Sequence, residues 1–309
     1  MLLTLSITGP FFAVIAFGFF AAKRGWMPDG AVRSLNVFVF NFAMPALVIR
    51  ALAGQDIIAA LTGPMVPVWV LAGGVTFALA MLAMRVLCGG GLAEMAVSGQ
   101  AATIGNIGFL GLPLMLAAFG DRAAAPMAVV LVLDLTIFIP LCIGLLEWAS
   151  GKGASLRLVA TVAKGVIFNP FVLAIVGGTL LSLAGGELPQ AGDNLLNFLG
   201  DAAGATALFS LGVQLAARRV EGEARAISLM IVMKLFVHPL AVFIAATLLG
   251  LDAANTAVLV VVASLPIAGN VFVVAERYGI FLQQLSAAIL LSTTAGVVTV
   301  SLALMWAGL

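Results

Sequence analysis

Residues 105–114 read "GNIGFLGLPL", Gly105 through Leu114, inside a run apolar enough to cross a bilayer. Gly105, Gly108, Gly111 and Pro113 all work against a helix there. A glycine costs about 1 kcal/mol relative to alanine in a helix interior, and a proline lacks the N–H and drives its ring into the preceding turn. In hydrocarbon, non-helical backbone survives only where protein or a water-filled cavity covers it. The stretch therefore reads as a broken membrane span, and the break as a site.

The rest of the chain fits that setting. Of 309 residues, 63% are hydrophobic and only 9% charged, and the mean hydropathy is +1.23; soluble domains carry about 25% charged residues. The chain reads as an all-α integral membrane protein whose partner is the lipid bilayer. Apolar runs matching a hydrocarbon core of about 30 Å predict ten spans, 3–22, 31–53, 63–86, 94–119, 124–147, 163–184, 192–216, 225–249, 253–275 and 284–306, in a single membrane domain 1–309. The first run lacks a basic leader and a small-residue cleavage site, so it reads as a retained span rather than a signal peptide. Cys88 and Cys142 lie at or within apolar runs without ligand spacing and read as packing residues.

If the spans alternate, one face collects Lys23, Arg24, Arg33, Arg85, Lys152, Arg157, Lys164, Arg218, Arg219, Arg225 and Arg277, while the other has only Arg50 and Arg122. The basic face is then cytoplasmic, and both termini lie outside. A net charge of +1 with no basic tract argues against a nucleic-acid partner.

A shift of 164 residues lays the second half on the first, placing Gly105-Asn106 on Gly269-Asn270. Residues 1–147 and 163–309 then form two five-span repeats. Five is odd, so the copies insert in opposite orientations, as in transporters built from inverted repeats. The second half has its own break, "SLPIAGNVFVV" at 264–274, with Pro266, Gly269 and Asn270. Unwinding near mid-membrane exposes half-helix N-termini whose free N–H groups and partial positive charge suit an anion. The expected binding residues are Gly105, Asn106, Ile107, Gly108, Pro113, Pro266, Gly269, Asn270 and Val271, with the two asparagines as amide donors. The competing reading is that the glycines only let helices approach and the prolines only kink them.

Asp134, Asp201, Lys234 and His238 fall inside apolar runs, where ionisable groups are expensive and are expected to face the interior. Lys234 and His238 share a helix face, and Asp134 is expected to pair with one of them. Such a cluster either exchanges protons coupled to transport or pins two spans together. Asn41 and Pro45, in "NFAMPALVIRALA" at 41–53, are further polar and kinking residues near the site, and Asn169-Pro170 marks the start of the membrane part of the sixth span.

The stretches at 41–53, 105–114 and "LPIAGNVFVVAERYG" at 265–279 resemble the auxin efflux carrier family, which includes plant auxin exporters and bacterial carriers proposed for malonate or malate. That resemblance implies crossing discontinuous spans 4 and 9, as in bile-acid symporters and sodium/proton antiporters. It implies a scaffold of 3–53 plus 163–216, carrying Asn41, Pro45 and Asp201 beside the site, and a transport part of 63–147 plus 225–306 that moves as an elevator. Asn106 and Asn270 would contact a substrate carboxylate, and a homodimer through the scaffold would be the oligomer. The short link "WASGKGASLRLVAT" at 148–161 lacks the long hydrophilic loop of plant carriers, which points to a bacterial inner-membrane protein. The expected function is secondary transport of a small organic anion, malonate- or malate-like or auxin-like. The alternative is a cation-coupled symporter or sodium/proton antiporter of the same architecture. No phosphate-binding loop, metal spacing or nucleophile–base pair occurs in the sequence, so no cofactor, metal or catalytic residue is expected.

Overall fold

The computed structural model describes residues 2–151 and 156–309; Lys152 of the basic tally lies outside them. Among the described residues all regular structure is helical: α1 (Leu2–Lys23), α2 (Ala31–Phe38), α3 (Met44–Leu52), α4 (Ile57–Thr62), α5 (Met65–Cys88), α6 (Leu92–Thr103), α7 (Leu112–Phe119), α8 (Ala124–Leu133), α9 (Ile139–Ala149), α10 (Leu156–Ile167), α11 (Pro170–Leu183), α12 (Gln190–Ala216), α13 (Ala224–Val232), α14 (His238–Leu248), α15 (Ala253–Ala263), α16 (Gly269–Tyr278) and α17 (Leu282–Trp306). Seven helical stretches are long and apolar enough to cross a membrane, or eight if α10 and α11 are one bent span. This is a multi-pass membrane protein. α10 and α11 meet at 51°, because Asn169 is extended and its side chain accepts from Phe171 N to start α11.

Four helices change pitch in the same way. π-helical turns at Val39–Ala43, Ile107–Gly111, Asp134–Phe138 and Met233–Val237 each run directly into an α-helix whose second residue is proline: Pro45, Pro113, Pro140 and Pro239. The ring of a proline collides with the carbonyl four residues back and offers that carbonyl no donor, so the preceding turn widens by one residue. These widened turns contain Asn41, Gly108, Asp134 and Lys234. Three of the four proline-widened turns thus carry a polar residue, Asn41, Asp134 or Lys234.

Two further interruptions are complete. α6 has 12 residues and α15 has 11, roughly 17 Å of helix each, which cannot cross alone. Each stops short and hands over to extended chain before α7 and α16 continue.

Elsewhere the packing is close. α1 lies against α12 with Gly18 facing the Phe209 carbonyl and Gly212 facing the Ile15 carbonyl. At the far end of the fold, Asp252 caps α15: its Oδ1 accepts from Asn255 N at 2.9 Å and its Oδ2 accepts from Asn255 Nδ2 at 2.7 Å. Those bonds favour the carboxylate and hold it below its ordinary value of 3.8. The cap therefore contributes above about pH 4 and is lost as pH falls through the lower folded-state value. Asp252→Ala is expected to cost about 1 kcal/mol at neutral pH, and the gap between the thermal midpoints of mutant and wild type should close in acid.

Candidate functional site at the crossed breaks

Where α6 ends, Ile104 is extended, and where α16 begins, Ala268 is extended. These two pieces of chain meet. Asn106 N donates to the Pro266 carbonyl at 2.8 Å and Ala268 N donates to the Ile104 carbonyl at 3.1 Å, an antiparallel bridge centred on Gly105 and Ile267. Ile267 N finds the Ser292 hydroxyl of α17 at 3.2 Å. Each break thus supplies the backbone partners that the other lacks, which is what non-helical chain at membrane depth requires. Gly105 keeps the approach uncrowded: a Cβ there would lie 3.3 Å from Leu265 Cβ and 3.4 Å from Lys234 Nζ, so those side chains would have to give by a few tenths of an ångström.

Both resumed helices start at a cavity of about 460 Å³ lined by Gly105, Asn106, Ile107, Gly108, Gly269 and Asn270. The Asn106 side chain accepts from Phe109 N at 3.3 Å and is 4% exposed. This cap uses the amide oxygen and leaves the Nδ2 donors free of the backbone. Asn270 is exposed, and α16 has no side-chain cap, so its first N–H groups are unclaimed by the helix. Pro113, Pro266 and Val271 do not line the cavity: the prolines shape the breaks, and Val271 is fully buried in the core.

Apart from Asn169, the far wall was not singled out in the sequence. Asn36, Phe40, Asn169, Phe171, Leu211 and Gln214 line it, whereas Asn41, Pro45 and Asp201 do not. Asn36 Oδ1 accepts from Ser210 Oγ at 2.7 Å and Gln214 Nε2 at 3.4 Å. Phe40 packs edge-on against Phe109 and Phe171, with ring centroids 4.9 and 5.4 Å apart. The four-residue spacing of Ser210 and Gln214 was the available signal, but Gln214 sits so near its helix end that it reads as a terminal residue. The expectation that Asp201 faces the interior is corrected: its side chain is 77% exposed and lies 3.7 Å from Arg50. That pairing supplies a counter-charge at the helix surface, so burial is unnecessary.

Behind the crossing lies a polar cluster. Lys234 and His238 are fully buried, and Asp134 is 3% exposed. Lys234 Nζ donates to the Ala263 carbonyl at 2.7 Å and lies 3.0 Å from His238 Nδ1. Ala263 ends α15, so the ammonium sits on the negative end of that half-helix dipole. The expected direct pairing of Asp134 with Lys234 or His238 is corrected, because Asp134 Oδ1 instead accepts from Trp69 Nε1 at 3.0 Å. The Trp69 ring packs against His238, centroids 5.1 Å apart, and so separates the carboxylate from the base. Asp134 Oδ2 and His238 Nε2 are buried without partners. Of the three, only Asp134 lines the cavity. Among the described residues no cluster of His, Cys, Asp and Glu could hold a metal.

Apolar helices, two of them interrupted at one cavity, define a membrane transport protein as the class. A family model described as Membrane transport protein matches residues 9–304, and the chain belongs to that family, the auxin efflux carriers that its motifs resemble. A "Putative malonate transporter" of Rhizobium meliloti (strain 1021) is 31% identical over 300 residues, covering 96% of this chain and 94% of that protein. The "Uncharacterized transporter YfdV" of Escherichia coli (strain K12) is 28% identical over 302 residues, covering 95% of this chain and 94% of its own. Family and relatives are transporters, not enzymes.

Proposed function

We propose that this chain is a secondary transporter of a small organic anion, a mono- or dicarboxylate of the malonate class, bound at the crossed breaks and carried by an elevator-type motion. The observation that carries this reading is the meeting of two half-helix starts, with Asn106 and Asn270, on one cavity. A carboxylate there accepts from backbone and amide donors without needing a cationic side chain. The malonate named for a relative sharing nearly the whole chain is consistent with that size and charge.

On this reading ten spans form two inverted repeats, 1–147 and 163–309, and α6–α7 and α15–α16 are the broken fourth and ninth. The scaffold comprises 3–53 and 163–216, and a second copy docks there. The cavity wall at Asn36 and Gln214 belongs to the helix ends bearing Arg33 and Arg218, so the cavity opens toward the basic, cytoplasmic face of a bacterial inner membrane, with both termini outside. Arg218 lies over the Phe272 ring at 4.9 Å and donates to Ser286 Oγ at 3.4 Å. An elevator step must strain or break that tie between the link that follows the scaffold and the transport part.

Uptake into proteoliposomes of labelled dicarboxylates, monocarboxylates and indole acids, with and without pH or sodium gradients, tests the reading. Saturable movement of an organic anion is expected. Movement of cations alone would replace it with the antiporter reading, for which the observation in favour is the buried Asp134 with its unpartnered oxygen. If Asp134 exchanges protons during transport, Asp134→Asn changes the pH profile of uptake. An unchanged profile with a lower thermal midpoint would make the residue structural.

A further inference from the structure

Charge at the crossing limits which anion fits. The two resumed helices present N-termini worth roughly +0.5 each, and the two that stop, α6 and α15, present C-termini worth roughly −0.5 each. Lys234 lies on the α15 end, and among the described residues Asp134 is the only ionisable one lining the cavity. The formal charges of Lys234 and Asp134 oppose one another, so the crossing is close to neutral before anything binds. The charged or titratable groups around Asp134 are Lys234 from the π turn Met233–Val237 and His238 from α14, with Trp69 of α5 between. Among the described residues lining the cavity there is no Lys or Arg. The guanidinium of Arg218, one turn beyond Gln214, is engaged by Phe272 and Ser286.

One carboxylate matches the two helix starts. A second would stand uncompensated in a low-dielectric site that already contains a carboxyl group, and two such groups in one site do not both ionise. Asp134 also has an unmet need. Trp69 satisfies Oδ1, while Oδ2 is buried with no donor. A ligand carrying an O–H at its far end supplies that donor.

We propose that the site selects a monoanion, so that a dicarboxylate is bound half-protonated, its carboxylate at the half-helix starts and its carboxyl proton shared with Asp134. This rests on the organic-anion reading above, and the test separates the two. The full chain in nanodiscs is titrated calorimetrically with malonate, malonamate and monomethyl malonate between about pH 5 and about pH 8. Malonamate is a fixed monoanion with a donor at its far end; the methyl ester is a fixed monoanion without one.

Above the second ionisation of malonate its affinity is expected to fall about tenfold per pH unit, the slope of one proton taken up. Malonamate affinity should stay flat across the range, and the ester should bind at least about tenfold more weakly than malonamate, as loss of a hydrogen bond to a charged group implies. In Asp134→Asn the malonate slope should become shallower, because the opposing charge is gone. Malonate affinity that is flat or rises with pH overturns the proposal while leaving an organic-anion site in place. Equal binding of amide and ester overturns the role of Asp134. Malonamate affinity that falls in parallel with malonate places the proton on the protein and also overturns it. If no carboxylate of this or any other class binds at any pH, the organic-anion reading itself fails.

Discussion

Asn270→Ala and Asn106→Ala are both expected to weaken anion binding about ten- to a hundredfold, with different consequences for the fold. Asn270 is exposed at the start of α16, and among the described residues its side chain makes no hydrogen bond. Truncating it removes only what the ligand would use. A hydrogen bond to a charged group is worth about 1.5–3 kcal/mol, roughly ten- to a hundredfold in affinity, and the thermal midpoint should be that of wild type. Asn270→Asp, nearly isosteric, puts a like charge beside the carboxylate and should bind more weakly still. Asn106 is different because its side chain also accepts from Phe109 N. Its loss should cost about 1 kcal/mol of stability in addition. Calorimetric titration alongside thermal unfolding separates the two effects. Equal stability losses in both alanine variants, with binding retained, would return both residues to packing.

Gly212→Val is expected to have the largest effect on folding. A Cβ at 212 would fall on the Ile15 carbonyl and crowd Phe19 N at 2.8 Å, and one at Gly18 would fall on the Phe209 carbonyl. These obstacles are backbone, which cannot rotate aside as a side chain can. α1 and α12 would have to separate, giving up dispersion contacts along the pair, with a cost of about 3 kcal/mol or more. The Gly212→Val protein should accumulate poorly in the membrane or unfold many degrees below wild type. The neighbouring exchange Gly9→Ala meets nothing within 4 Å and should be nearly silent. A stable, well-packed Gly212→Val protein would show that the two helices have room to part.

The sequence carried the breaks plainly, because glycine and proline in an apolar run conflict with the demand that membrane backbone be paired. It carried Asn106, Asn270 and the Lys234–His238 contact for the same reason: polar groups are conspicuous against leucine and valine, and four-residue spacing is a face. What it could not carry were partners from distant segments. Trp69 reads as an ordinary apolar residue, yet it takes the bond expected of Lys234 or His238. Asn36 and Gln214 lie near helix ends, where polar residues are unremarkable, and only the fold brings them to one wall. Asp201 misled in the opposite sense, since depth along a span does not say which way a side chain faces. The π turns lie between these cases: each is caused by a visible proline, but the widening acts several residues upstream of it.

The paired breaks also bear on how the chain is made. Asn106 N and the Ile104 carbonyl wait for Pro266 and Ala268, about 160 residues later in synthesis. At about 5–20 residues per second the interval is roughly ten to thirty seconds. For that time the first interrupted helix is in or near the bilayer without its partner. The first half of this protein cannot reach its final form alone, and synthesis of the last quarter is what completes the break a third of the way along the chain.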